Sequence, residues 1–260
     1  MGETIRIQSA AGDTDTYLAV ARPSPGPPVL LLHTWWGLND VIRTLADRLA
    51  ADGFTVMAPD LFDGRVYTVI EDAAANADAI EGRAEGNAGG LSPDRIEGRV
   101  RDALAHLLAH PDARGDRAAI VSLSFGAWYG NEVAKQSDDV AALVNFYGGE
   151  FEPPDGLPYL AHFAEDDQFG DADELAKLAA THADAVNIYP GTRHWFFEAD
   201  RRSVTREGIE AVMAAFLSGC GKTELVSRVE PAHDAARVVS RALADAECEE
   251  AMADHGSSTD

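Results

Sequence analysis

Three residues of this 260-residue chain have the types that acyl transfer requires, in the order nucleophile, acid, histidine. Ser124 follows the apolar run Ala118–Leu123, Asp167 lies in the segment Phe163–Phe169, and His194 lies in the segment Tyr189–Phe196. A serine hydroxyl is scarcely ionised at neutral pH and attacks a carbonyl only if an imidazole takes its proton. The imidazole in turn needs a carboxylate to fix its tautomer and stabilise its charged form. Each residue also has an ordinary reading. A strand followed by a Ser-capped helix is common, a loop histidine is often structural, and Asp166 competes with Asp167 for the acid's role. What sets the three apart is that each follows an apolar run of strand length.

The elements that must position them are legible from such runs and their breakers. Ile5–Gln8 and Tyr17–Ala21 read as an opening hairpin around Ala11-Gly12-Asp13. Beyond Pro23, Pro25, Pro27 and Pro28, Val29–Leu32 is a buried strand leading into the loop His33–Asp40. A helix is predicted over Val41–Ala51 with Ile42, Leu45, Ala46 and Leu49 on one face, then a strand over Phe54–Ala58 with the loop Pro59–Gly64. Tyr67–Glu85 is Ala-rich and helix-compatible, and Ser92-Pro93-Asp94 opens a helix to about His110, a capping residue followed by proline at the first helical position. Strands at Ala118–Leu123, Val140–Phe146, Tyr159–Phe163 and Val186–Tyr189 then alternate with helices at Ala127–Gln136, Asp171–His182 and Ser203–Leu217. This alternation implies an α/β architecture: a mostly parallel sheet covered by helices on both faces, with its chemistry beyond the C-terminal ends of the strands.

The elbow Ser122-Leu123-Ser124-Phe125-Gly126 is similar to the Gly-x-Ser-x-Gly turn of the α/β-hydrolases, with Ser122 in place of the first glycine, and the order Ser, Asp, His is theirs. Together with HTWWGLN, VMAPDLFDG, AEDDQFG and YPGTRHWFF, it resembles the dienelactone hydrolase family over about residues 1–218. The resemblance implies the α/β-hydrolase fold and a hydrolase of carboxylic esters or lactones that forms an acyl-enzyme on Ser124 with His194 and Asp167. Asp167 is preferred to Asp166 because Ala164 takes the place of the glycine three residues before the family's aspartate. The family's nucleophile is usually cysteine, held by a glutamate where this chain has Thr34; a serine deprotonated by His194 does not need that glutamate. An arginine four residues after the family's histidine is replaced by Glu198, which argues against an acidic lactone. The implied oxyanion hole is the backbone N–H of Trp35 and of Phe125. Thr34, Trp36, Tyr147, Phe169, Trp195 and Phe196, on or beside the strand-end loops, predict an aromatic substrate pocket. The alternative is a catalytically weak or inactive member that binds a small apolar ligand there.

Composition narrows the partners. A net charge of −23 repels nucleic acid and anionic membrane surfaces, leaving a small-molecule substrate. Lysine occurs only at Lys135, Lys177 and Lys222. So acidic a surface fits a halophilic protein in a salt-rich cytosol and equally fits plain solubility. Cys220 and Cys248 form no disulfide framework, the histidines show no metal-ligand spacing, and no cofactor is implied. Neither a secretory signal nor an apolar run of membrane-crossing length is visible, so the expected setting is cytoplasmic, as monomer or homodimer. Gly219-Cys220-Gly221-Lys222-Thr223 imitates the end of a phosphate-binding loop, but Phe216 stands where its first glycine is required. Residues 219–260 read as an acidic, helix-permissive extension.

Overall fold

A computed structural model describes residues 1–9, 12–22, 24–83 and 89–198. Within them lie, in chain order, β1 (Glu3–Ile7), β2 (Thr14–Ala19), β3 (Pro28–Leu32), α1 (Asp40–Ala51), β4 (Thr55–Pro59), α2 (Ile70–Ile80) and α3 (Pro93–Leu108). There follow β5 (Ala118–Leu123), α4 (Phe125–Lys135), β6 (Val140–Phe146), β7 (Tyr159–Ala164), α5 (Ala172–Thr181) and β8 (Val186–Tyr189). The expected closing helix Ser203–Leu217 and the extension at 219–260, with both cysteines, lie outside the described residues.

The eight strands form one sheet in the order β1-β2-β4-β3-β5-β6-β7-β8. β1 and β2 pair antiparallel, as does β2 with β4, and all later pairings are parallel. Every residue of β3, β4, β5 and β6 is buried, which explains why their sequences are continuously apolar rather than alternating. Their side chains still alternate between two cores. Leu31, Val56, Val121 and Val144 meet Ile42, Leu45 and Leu49 of α1 on one face. Leu30, Met57, Ile120 and Leu143 meet Ile96 and Val100 of α3 and Val133 of α4 on the other. This is the α/β-hydrolase fold expected of the sequence. Among the described residues no helix is long and apolar enough to cross a membrane.

After β3 the chain moves outward to β4 and then returns to β3's other side as β5. The strand order therefore reverses between β3 and β5, and the loops at their C-terminal ends open a crevice there. Local chemistry sets the element ends. Asn39 accepts the N–H of Ile42 at 3.1 Å to start α1, and Ser92 accepts that of Arg95 at 3.3 Å to start α3. α2 is shorter than its Ala-rich sequence predicts: the Tyr67 N–H donates to the Trp36 carbonyl at 3.0 Å instead of opening a helix, and Gly82 at φ +69° lies beyond its end.

One buried side chain makes stability depend on pH. His162 on β7 is stacked between Phe146 and Tyr189, with Nδ1 2.6 Å from the Tyr189 hydroxyl, and burial pushes its pKa down to about 3. The unfolded chain takes up that proton near pH ~6.5. Between these values the unfolded state binds more protons, so stability present above pH ~6.5 is lost as pH falls, by on the order of 1 kcal/mol per pH unit. Urea midpoints measured from neutral to acid pH are expected to fall, and to fall less steeply in His162→Gln.

Candidate active site

Ser124 occupies a turn only a tight set of neighbours permits. α4 begins at the next residue, and the Ser124 backbone sits at φ 49°, ψ −115°, a conformation that side-chain-bearing residues avoid. Its N–H donates to the Phe146 carbonyl at 2.9 Å, tying the elbow to the end of β6. The small residues around it are explained by contact. A Cβ on Gly126 would lie 2.8 Å from the His33 carbonyl oxygen and 2.8 Å from Leu32 Cβ, so α4 passes the end of β3 only with glycine there. Ser122, where a glycine was expected, is accommodated because Gly130 faces it: a Cβ on Gly130 would be 3.1 Å from Ser122 Oγ.

Gly148 supports the elbow from behind. A Cβ there would fall 2.5 Å from the Ser124 carbonyl oxygen and 2.6 Å from Ser124 Cα. Gly148→Ala must therefore displace the serine. A displacement of about 1 Å typically costs about 100-fold in rate, so turnover is expected to drop on that scale while far-UV circular dichroism stays unchanged.

The residues singled out by sequence for nucleophile, base and acid meet at the crevice. Ser124 Oγ is 2.8 Å from His194 Nε2, and His194 Nδ1 is 2.7 Å from Asp167 Oδ2. A carboxylate can only accept, so Nδ1–H donates to Asp167 and Nε2 is left to accept the serine proton. The second oxygen of Asp167 accepts the Phe169 N–H at 2.9 Å, which fixes the carboxylate's rotation. Asp166, the competitor, is instead 3.4 Å from Arg193 with a side chain 74% exposed, against 9% for Asp167. Tyr147, Phe169 and Trp195 pack edge-on to the His194 ring at 4.9–5.0 Å and confine its orientation. Of the four side-chain-bearing residues with positive φ among those described, three (Ser124, Tyr147 and Trp195) lie in this cluster, so backbone strain concentrates at the site.

The loop after β3 is held by its own histidine. His33 Nε2 accepts the Leu61 N–H at 3.0 Å, so Nδ1 carries the hydrogen and donates to the Thr34 carbonyl at 2.6 Å. Burial pushes the His33 pKa down, in keeping with this neutral scaffold role. Asp60 accepts the N–H groups of Phe62, at 2.9 Å, and of Gly64, ordering the neighbouring loop. Thr34 Oγ donates to Glu198 at 3.3 Å, and the Tyr147 hydroxyl donates to the other oxygen of the same carboxylate at 3.2 Å. Glu198 is fully buried and so joins the loops after β3, β6 and β8.

Among the described residues, two cavities adjoin Ser124. One, of about 250 Å³, is lined by Trp35, Phe125, Tyr147, Glu150, Phe169 and the three converging residues among others. The second, of about 470 Å³, shares Ser124 and Phe125 and continues over Pro93, Trp128, Tyr129 and Phe151. The pocket departs from the expected one. Tyr147 and Phe169 line it, but Thr34, Trp36, Trp195 and Phe196 are buried and line neither cavity. The indoles of Trp36 and Trp195 pack on each other at 5.2 Å and on Trp35, so their large apolar area is spent in the core behind the crevice. Glu198 is likewise no part of either lining, and its charge does not face a substrate. Sequence reasoning missed Glu150, Phe151, Trp128 and Arg83. The usable signal was position: Glu150 and Phe151 follow the glycines after β6, another strand end.

Known proteins share both the sequence and this architecture. The dienelactone hydrolase family profile matches residues 14–220. Protein usf of Aquifex pyrophilus is 27% identical over 219 residues, covering 78% of this chain and 90% of its own. A protein of Azospirillum brasilense described as "Putative carboxymethylenebutenolidase" is 30% identical over 216 residues, covering 74% of this chain and 87% of its own. The crystal structure of a dienelactone hydrolase-like promiscuous phosphotriesterase from metagenomic libraries superposes with a TM-score of 0.65 at 19% identity, covering 85% of this chain and 96% of that one, and shares the fold. With its profile spanning the elbow and all three strand-end loops that meet at it, the chain belongs to the dienelactone hydrolase family.

Proposed function

We infer that this family member, a hydrolase of esters or lactones, works through Ser124, His194 and Asp167 by way of an acyl-enzyme. The observation that carries the reading is the unbroken hydrogen-bond relay from the Ser124 hydroxyl through the His194 ring to Asp167, at the end of a strained turn. As Ser124 Oγ attacks the substrate carbonyl, its proton passes to His194 Nε2, and Asp167 stabilises the imidazolium that results. The carbonyl oxygen gains the negative charge. Phe125 is the first residue of α4, where backbone N–H groups have no partner within the helix, and Trp35 lies in the loop after β3 and lines the same cavity. These two N–H groups are assigned to the oxyanion. Collapse of the tetrahedral adduct breaks the bond to the alcohol oxygen, which takes the proton from Nε2. Water, deprotonated by the same nitrogen, then attacks the acyl carbonyl and releases the acid, restoring the serine. In a lactone the alcohol and acid leave as one hydroxy acid.

A fluorophosphonate that reports on activated serines tests this. Labelling is expected at Ser124 in the wild type and lost in His194→Ala. Labelling that persists in His194→Ala, or that falls on another serine, overturns the assignment.

A further inference from the structure

We propose that Glu150 makes the enzyme select esters whose acyl or alcohol portion carries a cationic, ammonium-type group; the inference rests on the reading of Ser124 as the nucleophile. Glu150 lines the same cavity as Ser124, Asp167 and His194. Its carboxylate lies against the turn that carries the acid: a Cβ on Gly170 would be 2.6 Å from Glu150 Oε1 and 3.5 Å from Asp167 Cβ. Burial is the first of the influences that hold this carboxyl above the usual carboxylate range, and the charges of Asp167 and Asp171 add to it. Backbone N–H groups, its own and that of Asp171, act the other way, and no basic side chain of the described residues contributes. A cation entering the cavity therefore relieves an unfavourable charge rather than competing with a basic side chain already in place.

The cavity's basic side chain does not cancel that charge. Arg83 donates to Asp78 at 2.9 Å and also to Glu81, so its charge is matched before a substrate arrives. Trp35 and Phe169, in edge-to-face contact at 5.1 Å, line the cavity beside Tyr147 and Phe125, and of its other carboxylates Glu81 pairs with Arg83 and Asp167 with His194. Aromatic rings beside a carboxylate that no basic side chain offsets are a chemistry that attracts alkylated ammonium groups, through ring quadrupoles and the countercharge together. The net charge of −23 steers the same ions toward the surface and repels carboxylates. The larger cavity, with Trp128 and Phe151 in edge contact at 5.1 Å, leaves room for an apolar group on the other side of the ester.

Two isosteric pairs test the proposal, one for each side of the scissile bond. Acetylcholine is compared with 3,3-dimethylbutyl acetate, and the p-nitrophenyl ester of betaine with that of 3,3-dimethylbutyric acid. In at least one pair the cationic-to-neutral ratio of kcat/KM is expected to fall by about tenfold or more from wild type to Glu150→Gln, a comparison in which intrinsic ester reactivity cancels. Ratios equal in the two proteins for both pairs overturn the proposal, whatever Glu150→Gln does to the melting temperature. A purely structural role for Glu150 would change melting alone. Binding of tetramethylammonium to Ser124→Ala, followed by tryptophan fluorescence, separates this from the hydrolase reading. Saturable binding that is lost when Glu150→Gln is added supports the cation site even if phosphonate labelling fails. Absence of binding together with unchanged ratios removes the site while leaving a labelled Ser124 intact.

Discussion

Ser124→Ala is expected to lower kcat by about a millionfold, with KM moved far less. The size follows from what is removed. Without Oγ no acyl-enzyme forms, and His194 is left to activate water from a position set for the serine. What survives is the oxyanion contribution and substrate positioning, which in comparable enzymes retain about 1,000- to 10,000-fold over water. His194→Ala is expected to fall to the same floor, and the double variant no lower, because the two side chains act as one unit. Burst-phase release of p-nitrophenol, present in the wild type only when deacylation limits turnover, must vanish in both. Stability is a control with its own sign. The elbow holds Ser124 at φ 49°, which costs an L-residue of order 1 kcal/mol, so Ser124→Gly is expected to be inactive and more stable. A Ser124→Ala enzyme that retained a tenth of wild-type kcat would end the nucleophile assignment.

The sheet was legible because its central strands are buried on both faces and read as uninterrupted apolar runs; β5, β6 and β8 begin and end at the residues the runs define. Helix starts with a capping residue were legible for the same local reason, as at Ser92. α2 was overestimated because helix propensity does not register the backbone bond that Tyr67 makes to Trp36, some thirty residues away in sequence. The order of Ser124, Asp167 and His194 could be read because chemistry restricts the residue types and the fold restricts where they lie. The pocket was harder. An aromatic on a strand-end loop can face the crevice or the core, and that choice is made by partners elsewhere in the chain. Trp195 follows His194 directly yet turns to Trp36, while Phe169 reaches the cavity. Glu198 shows the same limit for charge: its position suggested a residue facing substrate, and the structure instead gives it the hydroxyls of Thr34 and Tyr147.

Asp167→Asn should cost about 10,000-fold in kcat, although the substitution changes one atom's chemistry and almost no volume. The reason lies in how the carboxylate is held. Oδ1 accepts the Phe169 N–H at 2.9 Å while Oδ2 accepts from His194 Nδ1 at 2.7 Å. An asparagine must keep its carbonyl oxygen toward the Phe169 N–H, since an amide NH2 there would place two donors face to face. Its NH2 group then points at Nδ1 and donates to it, moving the imidazole hydrogen to Nε2. That nitrogen can no longer accept the proton of Ser124, and the ring is held in the unproductive tautomer. The loss is expected to fall on kcat, with phosphonate labelling slowed in parallel. Asp166→Asn supplies the matched comparison. Its carboxylate is exposed and 3.4 Å from an exposed Arg193, a pair of the kind that contributes about 0–1 kcal/mol, so activity should stay within about a factor of two and the melting temperature within a few degrees. The two aspartates are adjacent in sequence, share a loop and carry the same charge. Any mechanism in which His194 needs only a nearby negative charge predicts similar losses from both substitutions. The tautomer mechanism predicts losses differing by about three to four orders of magnitude, because only one of the two carboxylates touches the ring.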